Sequence, residues 1–228
     1  MGDSLYILYG SQTGNSEDIA LDLKSRCEEE YGMTSIVCDP LNAHKKTAAE
    51  IKEKAKLLVI VCSTTGNGDA PENAETFWRG TKLRSAEKDR YAGLPYAVLG
   101  LGDTNYDKFC FMGKSLDKRL EELGGCRSMK LHCADEATGL EDVVDEWIPK
   151  IMALIKVTFF PEEGDKTAAV AVAKPADETT KVSPEKESDL AEAVEKVAIT
   201  VTTNMPTEEI KETVFTSATV EPTAVEKA

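Results

Sequence analysis

Only two histidines (His44 and His132) and two tryptophans occur in the 228 residues, and no two cysteines form a C-x-x-C pair. The six cysteines, Cys27, Cys38, Cys62, Cys110, Cys126 and Cys133, are scattered, and neither histidine stands at a ligand-like spacing from them. That argues against zinc and against a disulfide framework. Four of the cysteines lie in or beside predicted strands, where the thiol behaves as a small buried hydrophobe, so free thiols in a reducing compartment are expected. No apolar run approaches the ~18–20 residues of a membrane span. Met1-Gly2-Asp3-Ser4 has neither the basic start nor the apolar stretch of a secretory leader, so the chain reads as cytoplasmic, with no membrane partner. Positive charge is scarce as well: 27 Lys and Arg stand against 41 Asp and Glu, a net charge of −14. Such a surface opposes nucleic-acid binding and suits a partner with a basic docking face.

What is present, over the first two thirds of the chain, is an alternation of strand and helix signals. Leu5–Tyr9 is a short apolar strand, and residues 15–31 follow with Ile19, Leu23 and Cys27 at helical spacing. Ser35–Cys38 is a second strand. Leu57–Cys62 is a third, apolar on both faces as a central parallel strand must be. A helix from Pro71 to about Leu83 leads to a fourth strand, Tyr96–Gly100, and a helix over Met112–Leu123 ends at Gly124-Gly125. Met129–Cys133 is a fifth strand, and residues 139–156 form the last helix. This order predicts an α/β fold: a doubly wound, flavodoxin-like five-stranded parallel sheet, order 2-1-3-4-5, with helices on both faces. The domain is expected to span residues 1–157. Residues 158–228 read as an acidic low-complexity linker or tail, mostly disordered, with 187–198 as one short amphipathic helix.

In such a sheet the ligand lies beyond the carboxyl ends of the strands, where strand order reverses. The loop after the first strand, Ser11-Gln12-Thr13-Gly14-Asn15-Ser16, is rich in hydroxyls and amides, opens a helix and has no Lys or Arg. Backbone N–H groups, hydroxyls and the helix dipole can hold a phosphate dianion without a cation. A nucleoside triphosphate would call for a P-loop lysine; Gly113-Lys114-Ser115 imitates one, but Lys108 stands where the first glycine belongs and no strand precedes it. The loop after the third strand, Ser63-Thr64-Thr65-Gly66-Asn67-Gly68-Asp69, lets the backbone pass close to a flat ligand. The loop after the fourth, Leu101-Gly102-Asp103-Thr104-Asn105-Tyr106, offers Tyr106 as an aromatic platform. A response-regulator receiver would need an aspartate at the end of the third strand, where Ser63 and Thr64 stand.

These three loops, with Leu99-Gly100-Leu101-Gly102-Asp103-Thr104-Asn105-Tyr106-x-x-Phe109, resemble the FMN loops of the diflavin reductases, the group that includes cytochrome P450 reductases and sulfite reductase flavoproteins. The resemblance covers about residues 4–156. Phe109-Cys110-x-x-Gly113-Lys114, Ala134-Asp135 and Gly139-Leu140-Glu141-x-Val143-Val144 are most similar to the methionine synthase reductases, with the cytosolic iron–sulfur assembly reductases close behind. The resemblance implies FMN as cofactor, with Ser11 to Ser16 on the phosphate, Ser63, Thr64, Thr65 and Gly66 along one ring edge, and Tyr106 stacked. It places Leu101, Gly102, Asp103, Asn105, Phe109 and Cys110 about the third loop, and Asp135 or Glu136 near the ribityl chain or ring edge. Position 65 is Thr where P450 reductases carry a second stacking Tyr, which leaves one ring face to Thr65 or to solvent.

An FMN domain needs no catalytic acid or base, because the cofactor carries the chemistry. With acidic surroundings and no nearby Lys or Arg, a one-electron carrier with a low second potential is expected. The acidic run Asp135, Glu136, Glu141, Asp142, Asp145 and Glu146 is a candidate docking face. The resemblance implies an FAD/NADPH reductase module, absent from these residues and supplied in cis or in trans, and a protein acceptor such as the cobalamin-dependent methionine synthase. A free-standing flavodoxin-like carrier is the alternative, and truncation of a longer reductase is the preferred reading of the tail.

Overall fold

A computed structural model of the chain describes residues 2–45 and 48–161. Strands β1 (Ser4–Gly10), β2 (Ile36–Pro40), β3 (Ala55–Ser63) and β4 (Pro95–Gly102) alternate with helices α1 (Asn15–Tyr31), α2 (Ala48–Lys54), α3 (Glu72–Thr81) and α4 (Phe111–Glu122). Two short strands, β5 (Cys126–Arg127) and β6 (His132–Asp135), and helix α5 (Leu140–Phe159) complete the described residues. All strand pairings are parallel, in the order β2-β1-β3-β4-β5, with β6 also on β4. This is the expected flavodoxin-like arrangement.

Alternation along the strands builds two cores. Leu5, Ile7, Leu57, Val59, Val61, Ala97 and Leu99 point to one face, where Leu23 and Cys27 of α1 and Trp147, Ile151 and Ile155 of α5 cover them. Tyr6, Leu8, Leu58, Ile60, Tyr96 and Val98 point to the other, against Ile51 of α2, Phe77 of α3 and Leu116 and Leu120 of α4. Residues 57–62 are fully buried, as a strand covered on both faces requires.

The fifth sheet position differs from the continuous strand expected at 129–133. Tyr96 pairs with Arg127 and Leu99 with His132, so five residue steps on the edge strand match three on β4. The surplus leaves the ladder and divides the edge into β5 and β6, and β6 ends at Asp135. Helix α2 and the 3-10 turn Leu41–His44, between β2 and β3, were not anticipated by the periodicity. Helix α5 runs to Phe159, two residues past the expected domain boundary. The expectations of a disordered tail and of a helix over 187–198 lie outside the described residues. No helix among the described residues is long and apolar enough to cross a membrane.

Candidate functional site

The loops at the carboxyl ends of β1, β3 and β4 are tied to one another. Ser11 donates its N–H to Asn73 Oδ1 (2.9 Å), and Gln12 Oε1 accepts from the Glu72 N–H (3.3 Å), which fastens the first loop to the start of α3. Ser63 Oγ donates to Gly10 O (3.2 Å), the Thr64 N–H donates to Leu101 O (3.1 Å), and Thr64 Oγ1 accepts from the Met112 N–H (3.1 Å). The Glu136 N–H donates to Gly102 O (2.8 Å). Between these loops opens a crevice of about 520 Å³, within the ~300–1,000 Å³ of small-molecule sites.

Gln12, Thr13 and Asn15 line it from the first loop, and Ser63, Thr64, Thr65 and Gly66 from the second. Leu101, Gly102, Asp103 and Tyr106 line it from the third, and Glu136 and Leu140 from the end of β6 and the start of α5. Tyr106 is 65% exposed, an aromatic ring on the crevice wall. The second loop is a tight turn. The Thr65 N–H donates to Asp69 O (3.0 Å) and the Asp69 N–H to Thr65 O (2.8 Å), while Gly66 and Gly68 take φ of +49° and +92°. The Gly66–Asn67 peptide takes no part in these bonds and stands at the turn's tip.

At the first loop, Gly14 donates its N–H to Ser11 Oγ (3.0 Å), and α1 begins without a side-chain cap. Its leading N–H groups are therefore left for an external acceptor. Ser16, in the same turn, is fully buried, and its hydroxyl has no hydrogen-bond partner among the described residues. A buried hydroxyl is rarely left unpaired, because desolvation without a compensating bond costs ~1–3 kcal/mol.

Ser11, Gly14 and Ser16 stand behind the crevice lining, and the remaining expected residues, Asn105, Phe109, Cys110 and Asp135, also lie outside it. Asn105 donates its N–H to Asp103 Oδ1 (2.7 Å) in an exposed turn. Phe109 lies beneath the Lys114 ammonium, 5.0 Å from its ring centroid. Cys110 is fully buried and left-handed (φ +51°), with Sγ donating to Gly100 O (3.4 Å); it turns the chain out of the loop and into α4. Asp135 is turned inward and accepts from the Thr104 hydroxyl (2.7 Å), the Thr104 N–H (3.0 Å) and the Ala137 N–H (3.0 Å). Burial pushes its pKa up, but the bonds from Thr104 and Ala137 outweigh it and hold the carboxyl below its usual range. Of the pair Asp135 and Glu136, only Glu136 faces the crevice.

Two lining residues escaped the sequence reading. Leu140 stands in the Gly139–Val144 motif, which carries no expectation of a place at the site. Lys108, met in the sequence only as the residue that breaks the P-loop likeness, corrects the expectation of a cation-free surround, being the one cation among the lining residues.

The flavodoxin family profile matches residues 7–147, more than half of the chain. The chain belongs to the flavodoxin family. Flavodoxin 2 from Bacillus cereus superimposes with a TM-score of 0.54 at 25% identity, covering 67% of this chain and 98% of that one. Among curated proteins, NADPH-dependent diflavin oxidoreductase 1 of Xenopus laevis is 37% identical over 160 residues, 69% of this chain and 26% of its own length. Methionine synthase reductase of Bos taurus is 37% identical over 158 residues, 69% of this chain and 22% of its own. This flavodoxin-family chain thus spans about a quarter of the length of the curated relatives it matches, and the diflavin-reductase resemblance of its N-terminal region is borne out.

The cofactor of flavodoxins is FMN. The residues present fit it: an uncapped helix start and an orphaned hydroxyl for a phosphate, a glycine turn with a spare peptide, and an exposed aromatic ring, all about one crevice.

Proposed function

We propose that residues 1–157 bind one FMN non-covalently and pass single electrons from an FAD/NADPH reductase module to a protein acceptor. The observation that carries this reading is the convergence of the three loops on one crevice, beside an uncapped helix start and with no cation in its first-loop wall. Ser11 to Ser16 would hold the phosphate, the Gly66 turn would meet the ring edge, and Tyr106 would stack on its face. FMN supplies the redox chemistry; the chain binds it, orients it and sets the charge around it.

Glu136, Glu141, Asp142, Asp145 and Glu146 are exposed where α5 begins, and Glu136 and Leu140 reach the crevice wall. This face would dock a basic surface of the acceptor beside the ring. Asp135 is withdrawn from it, being committed to Thr104. The methionine synthase reductase relatives support cobalamin-dependent methionine synthase as acceptor. The equal identity to diflavin oxidoreductase 1 supports a second reading, the FMN domain of an iron–sulfur assembly reductase.

The decisive experiment is the visible spectrum of the purified protein incubated with FMN and then desalted, with heat release of the bound compound. One FMN per chain is expected, and a colourless protein overturns the reading. Reduced protein is then mixed with methionine synthase at increasing salt. Transfer that slows with ionic strength supports the acidic face, and flat dependence counts against it.

A further inference from the structure

Lys108 belongs to two walls at once. It lines the crevice and also a groove on the far side of the Gly68 turn, where Trp78 and Phe111 stand. Its stem lies across the Gly68 backbone: a methyl on Gly68 would meet Lys108 Cγ at 3.2 Å, Lys108 Cβ at 3.3 Å and Phe111 Cδ1 at 3.2 Å. Only a glycine leaves this notch open. The ammonium rests 5.4 Å from the Phe111 ring centroid, close enough for a cation–π attraction. Among the described residues no carboxylate lies within ion-pair distance of it. The other charges lining the crevice are the carboxylates of Asp103 and Glu136.

We propose that Lys108, the one cationic side chain of the crevice lining, sets how readily this domain accepts its second electron, its stem seated against the Gly68 turn and Phe111. The inference rests on the FMN reading. The second electron adds negative charge to a crevice whose remaining fixed charges are negative. A nearby ammonium offsets them, and its loss leaves both carboxylates opposing the electron. The electron comes from the external reductant and stays on the flavin. The chain is otherwise acidic enough to make this one cation count.

The test is a dithionite titration of FMN-loaded parent, Lys108→Met and Lys108→Arg proteins with reference dyes, at low and high salt. Met keeps the stem over Gly68 and removes the charge, while Arg restores it. For Lys108→Met the second electron is expected to be threefold to tenfold less favourable, a negative shift on the order of 30 to 60 mV for one electron. Lys108→Arg should stay near the parent, and high salt should narrow the gap. A Met variant at the parent potential, or an Arg variant that behaves like Met, overturns the inference while FMN binding stands. A parent protein that takes up no FMN overturns the underlying reading and the inference with it.

Discussion

Gly100 of β4 and Gly113 of α4 meet backbone to backbone: a methyl on Gly113 would lie 2.6 Å from Gly100 Cα, and one on Gly100 would lie 3.2 Å from Gly113 Cα. This close approach seats α4 on the sheet and fixes where the loop between β4 and α4 leaves it. Helix propensity alone would favour alanine over Gly113 by ~1 kcal/mol. The obstacle is backbone, which cannot swing aside, and overpacking of this kind costs ~1–3 kcal/mol. Gly113→Ala is therefore expected to lower the urea midpoint. A variant more stable than the parent would show that the helix moves away freely.

Ser16→Ala separates folding from binding. Removing a buried, unpaired hydroxyl relieves a desolvation penalty, so the cofactor-free protein should be unchanged or stabilised by up to ~1 kcal/mol. FMN affinity should fall about fivefold to tenfold if that hydroxyl serves the phosphate, a loss of ~1–1.4 kcal/mol. Thermal midpoints without FMN and a fluorescence titration with it read the two effects independently. Unchanged affinity would remove Ser16 from the site.

Tyr106 is the exposed ring of the third loop. Stacking beyond area burial is worth ~0.5–1.5 kcal/mol, so Tyr106→Ala should weaken FMN binding at least twofold to tenfold, while Tyr106→Phe should hold most of it. Quenching of bound-flavin fluorescence should weaken in the alanine variant. Equal affinities across the three proteins would mean the ring faces solvent in the complex as well.

Asp135 gives a pH signature. Folding lowers its pKa, so its stabilisation is complete above the ordinary aspartate value of about 3.9 and drains away as pH falls through the lower folded value. Asp135→Asn cannot titrate and forfeits the charge-assisted bonds to Thr104. Its thermal midpoint should lie below the parent's at pH 7, and the two curves should converge as pH drops below about 4. Parallel curves across the whole range would mean that the carboxylate charge contributes nothing.

Most of the sheet was legible in the chain because each strand announces itself locally. Leu57–Cys62 is apolar on both faces, and the hydroxyl- and glycine-rich segments fall where strands end. Periodicity says less about the edge. Nothing local to residues 128–131 reveals that they exceed the matching span of β4, so the division into β5 and β6 waited on the register with Tyr96 and Leu99.

By itself the sequence determined the parallel flavodoxin-like sheet, the three loops and the anion-suited chemistry of the first, since these depend on short-range pattern and residue type. Only the tertiary structure decided which loop side chains face the crevice. Asp135 turns inward because Thr104, 31 residues earlier, offers it two donors. Cys110 is sealed behind β4 by the fit of α4 against Gly100. Lys108 enters the crevice wall because a glycine 40 residues away leaves a notch for its stem. The direction a loop side chain takes is set by partners distant in sequence, and no periodicity encodes them.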